Sequence, residues 1–274
     1  YFTFPVVREG RGLQPLWKFL TFTQNISIDL VNNSFSHAWS LCVEEHFYLL
    51  LPILLHFIFL RKKSHLSIYF FIAVGVAGAI IRYSIWEAFV SDASGQQRLA
   101  AAIREIYYPT YCRLDGLLVG VGIAAIFRYR PYLKEKLEKY GNGLLAFSMV
   151  LLTASYFLFG GSLVSQKFTS PAVAVFGFPL VSVAYGFMVI AAVSPNCPLS
   201  RYRIWPMEKL AVLSYCIYLS HKIVYHAVNS QIRYSLGLES HLIFPVCLAG
   251  AVLCAVPLHL VVERPFLSIR DHLR

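Results

Sequence analysis

Seven apolar segments recur along the chain, and they constrain its fold more than any other feature. A helix rises about 1.5 Å per residue, so about 20 apolar residues cross a bilayer core about 30 Å thick. The segments are 39–60, 67–86, 111–127, 143–160, 171–193, 209–228 and 240–262. They predict an all-α fold, a polytopic transmembrane helical bundle with about seven spanning helices in this chain.

The composition favours the same class. Of the 274 residues, 57% are hydrophobic and 14% are charged, whereas a soluble domain carries roughly 25% charged residues. This excludes an ordinary soluble enzyme and a disordered chain. The six cysteines form no CxxC pair, so we predict neither a disulfide framework nor a metal site.

Basic residues alternate along the chain and predict its orientation. Fourteen Lys and Arg fall in one set of connections and seven in the other. The richer set is 61–66, 128–142, 194–209 and 263–274; the poorer set is 1–38, 87–110, 161–170 and 229–241. Positive charge gathers on the cytoplasmic side, which also explains the net charge of +10 without a nucleic-acid partner.

This pattern predicts three regions. Residues 1–38 form an extracytoplasmic or interfacial segment, residues 39–262 the transmembrane domain, and residues 263–274 a cytoplasmic tail. The protein is then an integral protein of the cytoplasmic (inner) membrane, and the lipid bilayer is its first partner.

Ionisable residues inside four predicted helices lie in one layer between the outer surface and the middle of the membrane. Such groups are expensive at membrane depth and face a bundle interior or a wet cavity. The residues are Glu44, Glu45, Arg82, Arg113, Asp115, His221, Lys222 and His226. We expect a polar chamber in which Glu44 or Glu45 pairs with Arg82 or Arg113. Adjacent glutamates lie about 100° apart on a helix, so at most one of the two points into the chamber.

Four strings in order along the chain resemble motifs of the acyltransferase 3 family. They are HAWSLCVEEHFYLLLPILL (37–55), YCRLDGLLVG (111–120), LSYCIYLSHKIV (213–224) and VVERPF (261–266). The resemblance implies an integral-membrane enzyme that moves an acyl group, commonly acetyl, onto an extracytoplasmic hydroxyl. It implies a cytoplasmic acyl-CoA donor, most often acetyl-CoA, with no bound cofactor. The acceptor would be a glycan, a lipid-linked sugar or a small metabolite.

The chain also departs from that family. Members usually have about ten spanning helices, and the first carries the His taken as the catalytic base. Nothing before residue 37 resembles that helix, and the chain begins at Tyr1 rather than Met. We therefore expect N-terminal helices to be missing from this chain, and the chain alone to be inactive. Ser220 and Lys222 also replace aromatic residues that are more usual beside His221.

Three residues are candidate catalytic groups: Glu44, Glu45 and His221. A glutamate could orient a His or accept the proton of a substrate hydroxyl; the alternative is a buried ion pair that joins helices. His221 has a side chain whose ordinary pKa lies near neutrality, which suits a base. Its alternative is a hydrogen-bonded contact between helices.

Five residues are candidate substrate-binding groups: Trp39, Arg82, Arg113, Asp115 and Tyr218. Arg113 could clamp an anionic or carbonyl oxygen with its planar fork, or neutralise a glutamate. Asp115 could instead cap the start of its helix. Two other functions stay open at this point. One is a seven-helix transporter or receptor-like protein, and the other is a catalytically inactive fragment of the family.

Overall fold

Helices make up the regular structure throughout the described part of the chain. The computed structural model describes residues 8, 12–30, 33–60, 64–160, 168, 170–202, 204–229 and 240–272. Its helices are α1 (Leu16–Leu20), α2 (Trp39–Leu60), α3 (Ser64–Ile85), α4 (Gly95–Ala102), α5 (Asp115–Tyr129), α6 (Pro131–Lys139), α7 (Gly141–Leu158), α8 (Pro171–Val193), α9 (Pro198–Arg201), α10 (Trp205–Ala227), α11 (Ser240–Leu258) and α12 (Arg264–His272). The predicted fold class is confirmed.

Five stretches within the described residues are long and apolar enough to cross a membrane. They are Ser36–His56, Phe71–Val90, Gly141–Leu158, Pro171–Val193 and His241–His272. Each overlaps one of the predicted spans, and α8 coincides with the predicted span 171–193. Its start is well specified, because Ser170 accepts a hydrogen bond from the Val173 backbone N–H and Pro171 occupies the first helical position.

Helices α5 and α10 occupy the other two predicted spans. The prediction of 111–127 began too early, because residues Thr110–Cys112 form a 3₁₀ turn and the α-helix starts only at Asp115. Helix α5 has 15 residues, about 22 Å at 1.5 Å per residue. It is therefore shorter than a full bilayer core.

The chain divides into two compact units. One contains residues 14–202, and the other contains residues 203–274 together with residues 1–13. The predicted boundaries at 38 and 263 stay predictions. Most of the predicted outer connections 161–170 and 229–241 lies outside the described residues.

Helix α8 is the centre of the larger unit, where it packs against α7, α5 and α3. Glycine allows the approach to α5: a Cβ at Gly186 would lie 2.5 Å from Val119 Cγ1 and 3.3 Å from Ile123 Cδ1. A buried hydrogen bond of 2.8 Å from Ser148 Oγ to the Ala184 carbonyl joins α7 to α8. Small residues and interhelical hydrogen bonds are the usual means of helix association in membranes.

The connection predicted at 87–110 is a packed structure rather than an open loop. A π-helical turn at Trp86–Val90, helix α4 and a second π-helical turn at Ile103–Tyr107 follow α3 in succession. Together with α8 they build an apolar core of Trp86, Val90, Ala102, Ile106, Phe168, Ala174 and Phe178. The turns widen the helix and disrupt its 3.6-residue period, so the pattern does not stand out in the sequence.

In the smaller unit, α10 packs against α11. The contact is close at Gly250, where a Cβ would lie 2.8 Å from Val224 Cγ1. Helix α11 runs into a further π-helical turn, His259–Glu263, which leads directly into α12. Most of the predicted tail 263–274 is therefore helical.

Candidate functional site

A buried ion pair joins α3 to the beginning of α5. Arg82 Nη1 lies 2.9 Å from Asp115 Oδ2, and the two side chains are 1% and 10% exposed. The same guanidinium donates to the Cys112 carbonyl at 3.0 Å and, through Nε, to the Val175 carbonyl at 3.1 Å. Arg82 thus ties together α3, α5 and α8, and its positive charge is neutralised where α5 starts.

Asp115 does not cap the start of α5, which was the alternative role considered for it. Asp115 is the first residue of α5, after the N-cap residue Leu114, where no side chain caps the helix. A carboxylate in the first turn still suits the positive end of the helix dipole. Its main partner is Arg82.

The Arg113 guanidinium lies among three aromatic rings. It stands 3.8 Å from the Phe178 ring centroid, 5.1 Å from that of Tyr107 and 5.2 Å from that of Trp39. These distances are typical of cation–π contacts, which gain strength where water is excluded. Trp39 and Tyr107 also contact each other, with centroids 4.8 Å apart. The three rings therefore surround the guanidinium.

A cavity of about 220 Å³ lies beside this cluster, between α2, α5 and α8. Its lining combines aromatic, small and charged side chains: Trp39, Ser40, Val43, Glu44, Arg113, Asp115, Gly116, Leu117, Phe178 and Ser182. Of the residues predicted for the site, Trp39, Glu44, Arg113 and Asp115 meet here. Their charges are two carboxylates and one guanidinium, with the second guanidinium, that of Arg82, behind Asp115.

The two glutamates differ in position. Glu44 lines the cavity, and Glu45 is not among its lining residues. The expected pairing of a glutamate with an arginine is wrong in its partners, because Arg82 pairs with Asp115 and neither Glu44 nor Glu45 forms an ion pair with Arg82 or Arg113 in the described structure. The 3₁₀ turn before α5 packs against α3, and Asp115 at the start of α5 meets Arg82 there.

Arg82 also lines a second, more apolar cavity of about 110 Å³ between α3 and α5. The other lining residues are Val74, Ala77, Gly78, Ile81, Tyr111, Leu114, Asp115 and Leu118. Arg82 and Asp115 therefore stand between the two cavities. Arg82 Nε and Nη1 donate to protein groups, Asp115 among them, whereas its buried Nη2 has no hydrogen-bond partner in the described structure.

Polar groups next to the site tie the segment before α2 to the turn before α5. Asn25 Nδ2 donates to the Tyr108 carbonyl at 3.1 Å and to Thr110 Oγ1 at 2.8 Å. His46 Nδ1 lies 2.8 Å from the same hydroxyl. Thr110 thereby joins α2 to the turn that presents Arg113.

The remaining predicted site residues, His221 and Tyr218, belong to α10 of the smaller unit. His221 Nδ1 lies 2.6 Å from the Tyr218 carbonyl, and the two rings are 5.7 Å apart. His221 is exposed within that unit. Its role as a base stays a prediction.

Sequence reasoning missed the contribution of α8 and of the π-helical turns. Phe178 and Tyr107 form two walls around Arg113, and Ser182 faces α5, with its Oγ 3.6 Å from the position of a Cβ at Gly116. Ser182 could have been identified from the sequence, because it is a polar residue in a strongly apolar helix. Phe178 could not, because aromatic residues are common throughout this chain.

Comparison with known proteins agrees with the strings identified in the sequence. Residues 2–260 match the acyltransferase 3 family, an acyltransferase domain. O-acetyltransferase OatA of Staphylococcus aureus (strain NCTC 8325 / PS 47) is 26% identical over 201 residues. A second protein of the same species (strain COL), provisionally named an O-acetyltransferase, is 28% identical over 200 residues.

Each alignment covers 71% of this chain and 30% of the relative, so the chain spans about a third of the length of the curated relatives it matches. No solved structure matches the chain. The family match nevertheless extends over nearly all of its residues and includes three of the four strings, while VVERPF (261–266) follows its end at residue 260. The chain belongs to the acyltransferase 3 family.

Proposed function

We propose that this chain carries the acceptor site of a membrane O-acyltransferase. The enzyme transfers an acetyl group from acetyl-CoA, supplied on the cytoplasmic side, to a hydroxyl of an extracytoplasmic glycan, lipid-linked sugar or small metabolite. The observation that carries the proposal is the cavity in which Trp39, Glu44, Arg113 and Asp115 meet. Family membership favours acyl transfer over a transporter or a receptor-like protein.

The size of the cavity is compatible with a short acyl group. Its volume of about 220 Å³ is more than ten times the roughly 10–15 Å³ of the same kind of volume that one water molecule needs. An acetyl group together with one hydroxymethyl group of a sugar fits such a cavity. The names of the two relatives, both O-acetyltransferases, point to the same acyl group and to an oxygen acceptor.

The charges in the cavity match the needs of the reaction. The acceptor oxygen attacks the thioester carbonyl carbon, the C–S bond breaks, and coenzyme A leaves as a thiol after taking up a proton. Glu44 accepts the proton of the attacking hydroxyl as a general base. The guanidinium of Arg113 stabilises negative charge that develops on the carbonyl oxygen, as preorganised donors do in acyl transfer.

Trp39 gives the site an aromatic surface against which a sugar ring can pack. Arg82 acts through Asp115 and is a positioning residue rather than a catalytic one. His221 is a second candidate base, proposed from the family motif on α10. Glu45 is the weakest of the three candidate catalytic residues, because it is not among the residues that line the cavity.

The experiment is transfer of radiolabelled acetate from acetyl-CoA in membranes. The chain is expressed alone and within the complete reading frame of its gene, and label is followed into alkali-labile esters. Transfer above that of control membranes, abolished by Trp39→Ala or His221→Ala, supports the proposal and identifies residues it needs. Failure of both forms to label any ester, with the protein present in the membrane, would contradict it and favour an inactive member of the family.

A further inference from the structure

We propose that Cys216, His259 and Glu263 form a binding site for a zinc-class divalent transition metal ion in the smaller unit. This inference is independent of the acyl-transfer proposal. It rests on three residues of different ligand types that the fold brings together from distant positions in the sequence.

The three ligand atoms form a compact group. Glu263 Oε2 lies 3.0 Å from Cys216 Sγ and 2.8 Å from His259 Nδ1. All three atoms lie within 4.8 Å of one another. Glu263 therefore stands between the thiol and the imidazole, and each of the three side chains presents one potential ligand atom to the same point.

Two elements of the smaller unit supply the residues. Cys216 lies on α10, while His259 and Glu263 are the first and last residues of the π-helical turn between α11 and α12. Residues four apart on a helix share one face, so the turn directs both side chains at α10. Helix α10 contributes the third group, the thiol of Cys216.

The separations are close to those of a metal centre. Zinc binds sulfur at about 2.3 Å and nitrogen or oxygen at about 2.0–2.1 Å, in tetrahedral geometry. With tetrahedral angles, these bond lengths place nitrogen and oxygen ligand atoms about 3.3–3.4 Å apart and sulfur about 3.6 Å from each of them. Glu263 Oε2 therefore has to move by about 0.5 Å from each neighbour. Cys216 Sγ and His259 Nδ1, which lie within 4.8 Å of each other, have to settle at about 3.6 Å.

Burial and ligand type favour zinc over harder cations. Cys216 is 1% exposed, and His259 and Glu263 are 17% and 22% exposed, so the group is covered on the side of the thiol and accessible from the other. Magnesium and calcium prefer oxygen ligands, whereas thiolate and imidazole suit zinc. Three protein ligands leave a fourth tetrahedral position for water.

The sequence hides this site because its ligands do not follow a metal-binding spacing. His259 and Glu263 are near each other, but Cys216 lies 43 residues before His259. The expectation of no metal site rested on the lack of such spacing. In the folded unit, a bound ion would link α10 to the junction of α11 and α12.

Cobalt titration of the purified full chain in detergent tests the site, with Co²⁺ as a spectroscopic probe for zinc. We expect one equivalent of Co²⁺ to produce a thiolate-to-cobalt charge-transfer band that Zn²⁺ then removes. Cys216→Ser keeps a hydrogen-bond donor to Glu263 and should eliminate the band. Glu263→Gln should weaken binding by at least about tenfold, since even the loss of an outer-shell partner costs 10–100-fold.

Cys254→Ser is the matched control, because Cys254 is an exposed cysteine on α11. It should leave both the band and the affinity unchanged. A wild-type protein without the band would overturn the proposal and leave the group as a hydrogen-bonded contact. A band that persists in Cys216→Ser would overturn it equally. A zinc-dependent rise in melting temperature, present in wild type and absent from Cys216→Ser, is the second expected result.

Discussion

Arg82 and Asp115 form an ion pair of 2.9 Å with side chains only 1% and 10% exposed. The pair is neutral as a whole, which makes both charges tolerable at membrane depth. Because Arg82 also holds the Cys112 carbonyl, it fixes the turn that leads to Arg113. The position of the proposed oxyanion-stabilising group thus depends on an ion pair that lies behind the cavity.

Removing either charge of this pair should destabilise the larger unit. We expect Arg82→Met or Asp115→Asn alone to cost about 3–5 kcal/mol, because each leaves a buried charge without a partner. Thermal unfolding in detergent measures the loss. The double variant Arg82→Met/Asp115→Leu should recover part of the stability, since it leaves neither charge. A double variant less stable than both singles would show that the pair contributes more than mutual neutralisation.

Variants of the two adjacent glutamates, Glu44 and Glu45, should differ in acetyl-transfer activity. We expect Glu44→Gln to lower acetyl transfer by about 10²–10⁴-fold, the usual contribution of a general base. Glu45→Gln is the matched control and should retain most of the activity. Initial rates at saturating acetyl-CoA, normalised to protein in the membrane, make the comparison. Equal losses in both variants would indicate an electrostatic effect of the pair and remove Glu44 from its role as base.

Arg113 should not tolerate lysine. Its guanidinium lies 3.8 Å from the Phe178 ring centroid, and a compact ammonium can neither stack there nor donate as a planar fork. We expect Arg113→Lys to reduce kcat at least about tenfold, since the loss of one donor to a developing oxyanion costs about 10²–10³-fold. Arg104→Lys, at a side chain 49% exposed, is the control and should be neutral. Full activity in Arg113→Lys would show that positive charge alone is sufficient.

A single methyl group should separate α5 from α8. We expect Gly186→Ala to destabilise the protein by about 1–3 kcal/mol, the usual cost of overpacking, because its Cβ would lie 2.5 Å from Val119 Cγ1. Gly120→Ala on α5 is the control, since nothing lies within 4 Å of its Cβ position. Melting temperatures compare the two. Adding Val119→Ala to Gly186→Ala should restore part of the lost melting temperature. If it restores none, the strain does not arise at the contact with Val119.

The orientation can be measured by cysteine labelling. We expect a cysteine in place of Lys136, on helix α6, to be protected from a membrane-impermeant reagent in intact cells. The reason is the excess of basic residues in the 128–142 connection. Ser165→Cys, in the connection predicted to be external, should be labelled under the same conditions. Both variants require a background without native cysteines, and the reverse labelling pattern would invert the orientation.

The fold was predictable from the sequence where local signals and hydrophobicity agree. Helix α8 begins at Pro171 because Ser170 and the proline both favour a helix start, and its apolar run ends with it at Val193. The stretch after α3 was not predictable, because two π-helical turns and a short helix disrupt the periodicity there. Its burial of Trp86 and Ile106 depends on contacts with α8.

Four of the predicted residues, Trp39, Glu44, Arg113 and Asp115, meet in one cavity, but their pairing was not predictable. Membrane depth identifies Arg82, Arg113 and Asp115 as groups that require partners. Which carboxylate meets which guanidinium depends on the rotation of α2, α3 and α5 about their axes, and residues adjacent in sequence differ by about 100°. The sequence therefore predicted a glutamate as the partner of Arg82, and Asp115 was identified as its partner only once the helices were placed.

The π-helical turns have a genetic consequence. A π-helical turn contains more residues than the α-helical turn it replaces, so the gain or loss of one codon can create or remove it. Deleting one residue within Trp86–Val90 would let the turn close as α-helix, and the residues on either side would keep the faces that they present now, because the turn already takes up the extra residue. The core around Ile106 and Phe178 would then stay in place. Homologous chains that differ in length by one residue here should consequently share one register on both sides of the turn, with the difference confined to the turn itself.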